Sequence, residues 1–165
     1  MTTPTERVGA RRRPIQTFAL LVGVVFLLVG VLGFVPGVTA DFDRFGLAGP
    51  HSEAALLGVF QVSALHNVVH LLFGVAGVAA ARSWGSARLF LGAGGFLYLL
   101  FWVYGSVVHA IGHAGGAANF LPFNSADNLL HLGLGVGMIL LAVLGTALER
   151  AHGQYPGREQ RGHDR

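Results

Sequence analysis

The chain has 165 residues, of which 53% are apolar, only 12% are charged and 25 are glycine. Soluble domains average about 25% charged residues, so this composition argues against a domain built for water. Cysteine and lysine are absent and all 11 basic side chains are arginine. This excludes disulfides, iron–sulfur clusters, thiolate metal sites, Schiff-base chemistry and a phosphate-loop lysine.

In chain order, a basic tail (1–15) is followed by four nearly charge-free stretches of roughly 18 or more residues, each long enough as a helix to cross a ~30 Å hydrocarbon layer. The first span, 18–35, ends at the helix-stopping pair Pro36-Gly37. With its basic start and the small residues Val38-Thr39-Ala40 it has the outline of a cleavable signal. Its apolar stretch exceeds the usual run of about 7–15 residues, so an uncleaved anchor is expected. The second span lies within 55–81 and is overlong for one crossing, so its first turns are expected at or outside the interface. The third runs over 89–109. The fourth, 129–148, follows Pro122 and the cap-like Asn124, Ser125 and Asp127. A polar tail (149–165) ends the chain, leaving 16–148 as the membrane domain.

Ten of the eleven arginines lie before span one, between spans two and three, or after span four; Arg44 alone lies in the other loops, beside Asp41, Asp43 and Glu53. By the positive-inside rule both tails are cytoplasmic and the protein is multi-pass in the cytoplasmic membrane.

Asn67-Val68-Val69-His70-Leu71, followed by Gly74-Val75, recurs 61 residues later as Asn128-Leu129-Leu130-His131-Leu132, followed by Gly135-Val136. An offset of two spans preserves membrane direction, as in parallel repeats. The expected fold is therefore all-α, an integral membrane four-helix bundle built from two parallel-repeated helical hairpins. Polar and small residues form one stripe per span: Ser63, His66, Asn67, His70, Gly74, Gly77 and Ala81; Gly95, Tyr98, Trp102, Gly105 and His109; Asp127, His131, Gly135, Met138, Ala142 and Gly145. Span one carries Gly23, Gly30 and Gly37 at heptad spacing. Small residues with buried polar partners are how helices associate in lipid, so Asn67, His70, Asn128 and His131 are read as packing groups.

An ionisable residue inside a span is also a functional hypothesis. His66, His70 and His131 with Asp127 have residue types that bind a divalent metal; facing histidines can clamp haem; the same groups can relay protons. No H-E-x-x-H or C-x-x-C-H motif accompanies them. The alternative is interhelical hydrogen bonding by His70 and His131, capping by Asp127, and a wet loop for His109 and His113. Gly92-Ala93-Gly94-Gly95 and Gly133-Leu134-Gly135-Val136-Gly137 look like nucleotide loops but lie within helices whose N–H groups are already bonded. With no G-x-S-x-G elbow, hydrolase chemistry has no nucleophile.

The string Leu27-Leu28-Val29-Gly30-Val31-Leu32-Gly33-Phe34-Val35-Pro36-Gly37 precedes Gly58-Val59-Phe60-Gln61-Val62-Ser63 and His66-Asn67-Val68-Val69-His70. Together with Ala118-Asn119-Phe120-Leu121-Pro122-Phe123-Asn124 and Ala126-Asp127-Asn128-Leu129-Leu130-His131, these resemble small four-span bacterial membrane proteins classed as a domain of unknown function. The resemblance covers about residues 14–148 and carries no activity. Residues 112–116 depart from the charged loop it implies, which weighs against His109 and His113 relative to His70 and His131.

The expectation is a non-enzymatic protein with a structural or interaction role, with no catalytic residues and no cofactor. Its partners are the lipid bilayer and a second copy through the G-x-x-x-G pair Gly133 and Gly137, with no nucleic acid. The alternative is a small transporter, channel, or metal- or haem-binding component using the histidines.

Overall fold

Proline at the first helical position opens α1 (Pro14–Leu32), where its fixed φ suits the helix and its missing N–H costs nothing. The Gln16 side chain accepts the Arg13 N–H at 3.0 Å and donates to the Ala81 carbonyl at 3.1 Å, tying the start of α1 to the end of the second helix. These elements belong to a computed structural model that describes residues 12–110 and 124–151. His113, Pro122, residues 112–116, the stretch 118–123 of the resemblance and most of both tails lie outside the described residues.

After α1 the chain builds a cap. Three two-residue strands, β1 (Thr39–Ala40), β2 (Ala55–Leu56) and β3 (Phe60–Gln61), form an antiparallel sheet in the order β1-β2-β3, with Thr39 opposite Leu56 and Ala55 opposite Gln61. Thr39 Oγ1 donates to the last carbonyls around the end of α1, Leu32 and Gly33, both at 3.2 Å. Ala54, Leu56 and Val62 make a small core under the sheet, packed against Val29, Val38, Phe45 and Phe60. At the rim Arg44 pairs with Glu53 at 2.5 Å; that hydrogen bond, with Asp41 and Asp43 nearby, raises the guanidinium's pKa.

The cap corrects the expected start of the second span. Residues 55–63 hold β2, a tight turn and β3 rather than helix, because Leu57 (φ 54°) and Gly58 (φ 69°) take the left-handed conformation of a primed hairpin turn, closed by Val59 N–H to the Leu56 carbonyl at 3.1 Å. Helix α2 (Ala64–Ala80) begins only at Ser63, whose Oγ accepts the His66 N–H. Helix α3 (Trp84–Ala110) starts five residues before the expected 89, behind Ser83, whose Oγ accepts the Ser86 N–H. Helix α4 (Ser125–Ala151) is capped reciprocally: Asn124 Oδ1 accepts the Asp127 N–H at 2.9 Å and Asp127 Oδ2 accepts the Asn124 N–H at 3.1 Å.

The four helices form an all-α bundle of two hairpins, α1 on α2 and α3 on α4. Glycine sets how closely the helices approach. A β-carbon on Gly23 would lie 2.7 Å from Val78 N and 2.9 Å from the Gly74 carbonyl, and one on Gly95 would lie 2.8 Å from the Gly135 carbonyl and 3.1 Å from Ile139 N. The core between the hairpins contains Ile15, Ala19, Phe26, Leu91, Tyr98, Met138 and Ala142. Outward, Leu21, Val25, Leu28, Leu72, Val75, Leu89, Leu129, Leu140 and Val143 are each more than half exposed. A continuous apolar exterior of this kind is unusual for a soluble monomer and matches hydrocarbon. Helices α1, α3 and α4 are long and apolar enough to cross a membrane; α2, at 17 residues, is a shorter apolar helix.

Candidate functional site

Beneath the cap, where α2 and α4 begin, the stripes of the two helices meet. His66 and His70 lie one turn apart on α2 and His131 comes from α4. The ring centroids of His66 and His70 are 4.5 Å apart, and those of His66 and His131 are 6.4 Å apart. All three residues are buried. Aromatic rings enclose them: Phe26 lies 5.6 Å from His70, while Tyr98 and Phe101 lie 5.4 and 6.0 Å from His131. Phe26 and Tyr98 touch each other at 5.3 Å across the middle of the bundle.

The contacts of the two hairpins run in parallel. Phe26–His70 in the first has its counterpart in Tyr98–His131, and Gly23 against Gly74 and Val78 has its counterpart in Gly95 against Gly135 and Ile139. The α2 and α4 partners are 61 residues apart in every case, and the α1 and α3 partners 72.

Among the proposed packing groups, Asn67 is fully buried against Gly33, where a β-carbon would collide with its amide. Asn128 is half-buried, with its amide 3.0 Å from Ser106 Oγ on α3. Each asparagine therefore faces the other helix of its own hairpin. His70 Nδ1 and both polar atoms of the Asn67 amide have no hydrogen-bond partner among the described residues.

Among the proposed metal ligands, the structure brings His66, His70 and His131 together. Asp127 stands one turn before His131, with its carboxylate committed to backbone donors: Oδ2 accepts from Gln61 N at 3.0 Å as well as from Asn124 N. Among the described residues no group of three or more His, Asp or Glu has an arrangement that could hold a metal ion. His109 is exposed near the end of α3, beside a groove of about 380 Å³ that also touches Trp102, Ser106 and Asn128.

Sequence reasoning missed Gln61, which joins the cap to the bundle. Its N–H meets Asp127, its backbone also bonds His66, and its side-chain amide donates to the Ser52 carbonyl at 2.7 Å. Asn124 Nδ2 adds a second tie, to the Val59 carbonyl at 2.7 Å. The available signal for Gln61 was a lone amide in the apolar run Val59-Phe60-Gln61-Val62.

The profile of a family described as "Domain of unknown function (DUF4383)" matches residues 16–144. No curated protein and no solved structure matches the chain.

Proposed function

The chain belongs to the DUF4383 family, a domain of unknown function, and on that premise we propose a non-enzymatic, structural or interaction role as a multi-pass protein of the cytoplasmic membrane. The observation that carries this reading is the use made of polar groups at the cap end. Gln61, Asn124 and Asp127 tie the cap to α4, and the histidines pack against aromatic rings where the two hairpins meet. Such groups fix one arrangement of helices in lipid, where apolar contact alone discriminates poorly.

The proposal includes a fourth crossing by α2, which pairs with α1 along its length and at 17 residues reaches the lower limit for a span. It also includes a parallel repeat, supported by the matched ring and glycine contacts of the two hairpins. Retention of α1 as an anchor is supported by Ile15, Ala19 and Phe26 in the core and by Thr39, buried in β1 just before the would-be cleavage point. Arg12, Arg13, Arg82, Arg88 and Arg150 stand at the helix ends away from the cap, which supports a cytoplasmic position for both termini.

Topology is directly testable because the chain has no cysteine. In intact cells, Asp43→Cys is expected to react with a membrane-impermeant maleimide, and Ser83→Cys to react only after lysis. The reverse pattern, or labelling of both, would refute the orientation.

For the role itself, His70→Ala and His131→Ala are each expected to lower the midpoint of thermal unfolding in detergent, whereas His70→Phe, which keeps a ring beside Phe26, retains most of the stability. A second reading, a bound haem or other histidine-held cofactor, draws on the closeness of three buried imidazoles and the unbonded His70 Nδ1, although as arranged they do not form a group that could hold a lone metal ion. Elemental analysis and a visible absorption scan of the same preparations separate the two. Stoichiometric metal or a haem band lost in variants that remain fully stable would establish the second reading over the first.

The partner in the proposed homo-oligomer is a second copy meeting at Gly133 and Gly137, where an added β-carbon meets nothing within 4 Å. Gly133→Leu is expected to abolish crosslinked dimers in native membranes while leaving the monomer's stability unchanged; persistence of the dimer would rule out this contact.

A further inference from the structure

At the end of the bundle away from the cap, a groove of about 470 Å³ opens between the start of α1 and the end of α2. Its mouth carries Arg12, Arg13 and Arg82, and its wall continues down the helices as Leu20 and Val78. Gln16 also lines it, but both ends of its amide are already bonded, to Arg13 N–H and to the Ala81 carbonyl. Recognition at the mouth therefore falls to three guanidiniums. Arg13 Nη1 is enclosed there with no hydrogen-bond partner among the described residues, a buried charged donor lacking its acceptor.

We infer that this groove binds an anionic phospholipid, with the headgroup phosphate between the guanidiniums and an acyl chain along Leu20 and Val78. Guanidinium geometry suits phosphate oxygens, which accept paired N–H bonds from a planar fork. Basic pockets between helices at the cytoplasmic interface are a general means of holding anionic headgroups. The volume lies within the range of about 300–1,000 Å³ for ligand sites. Both parts of the lipid are matched: charge at the level of the helix ends and an apolar wall below it, where the chain would extend into hydrocarbon. A similar groove between α3 and α4 has Arg88 and Arg150 at its mouth, but the Arg88 guanidinium already lies over the Trp84 ring, 5.5 Å from its centroid. The α1/α2 groove is therefore the site assigned.

The inference rests on the membrane reading, and the experiment separates the two. Full-length protein is purified in mild detergent, supplied with phosphatidylglycerol or phosphatidylcholine, and weighed intact by native mass spectrometry; inorganic phosphate is the soluble comparison. The expected result is retention of phosphatidylglycerol over phosphatidylcholine, with no retention of inorganic phosphate. Arg12→Gln combined with Arg82→Gln, both at exposed positions, should weaken phosphatidylglycerol binding about thirtyfold, the loss expected for two guanidiniums beside an anionic headgroup. Arg88→Gln should leave it unchanged. Equal retention of the two lipids, retention of phosphate alone, or undiminished binding by the double variant would overturn the inference while leaving the membrane reading intact. A chain that stays folded and soluble without detergent would overturn both.

Discussion

Gly23→Leu is expected to prevent the α1/α2 hairpin from forming. The blocking atoms are main chain, Val78 N at 2.7 Å and the Gly74 carbonyl at 2.9 Å from an added β-carbon, so no rotamer change relieves the clash and the helices must separate. Ordinary overpacking costs about 1–3 kcal/mol, and this substitution should reach or exceed the upper end. Gly95→Leu should do the same to α3/α4, where the Gly135 carbonyl lies at 2.8 Å. Gly92→Leu is the control, since a β-carbon there meets nothing within 4 Å; its effect should stay within about 0.5 kcal/mol. Thermal unfolding in detergent, read by circular dichroism, measures all three. A Gly23 variant as stable as the Gly92 variant would mean that the hairpins do not close as described.

The second large effect is expected at Asp127. Asp127→Ala removes the acceptor of two backbone donors, Gln61 N–H and Asn124 N–H, and should cost about 2–3 kcal/mol, each unmet donor costing about 1–3 kcal/mol when buried and these two being partly buried. Asp127→Asn keeps one acceptor oxygen and should lose under half as much. Hydrogen exchange gives a site-specific readout: the Gln61 amide should lose protection in the alanine variant and keep it in the asparagine variant. Damage from asparagine equal to that from alanine would show that the carboxylate's charge, rather than its hydrogen bonding, matters here, as a metal or proton site would require.

The bundle was legible because its signals are periodic. Three-and-four spacing put Ser63, His66, Asn67, His70, Gly74, Gly77 and Ala81 on one face, and all seven are buried. The stripe on α4 is likewise buried from Asp127 to Gly145. On α3 the pattern fades toward its end, where His109 is exposed. The cap was not legible, since a two-residue strand has no period to detect and its pairing depends on Leu57 adopting a conformation that its side chain disfavours. The site was legible in its polar members only. Phe26 and Phe101 had the same apolar character as the outward-facing residues around them, and only the packing of Phe26 on His70 at 5.6 Å, and of Phe101 on His131 at 6.0 Å, reveals them as a wall beside the imidazoles.

The tie between Gln61 and Asp127 imposes an order on biosynthesis. The two residues are 66 positions apart, and at roughly 5–20 residues per second the second is made about 3–13 s after the first. During that interval α1, the cap and α2 can already pair, since every contact between Gly23 and Val78 is available, but His66 still lacks its neighbour His131 and the Gln61 N–H still lacks the Asp127 carboxylate. The nascent first hairpin thus exposes a polar seam that only the second hairpin, or the second hairpin of a neighbouring chain, can close.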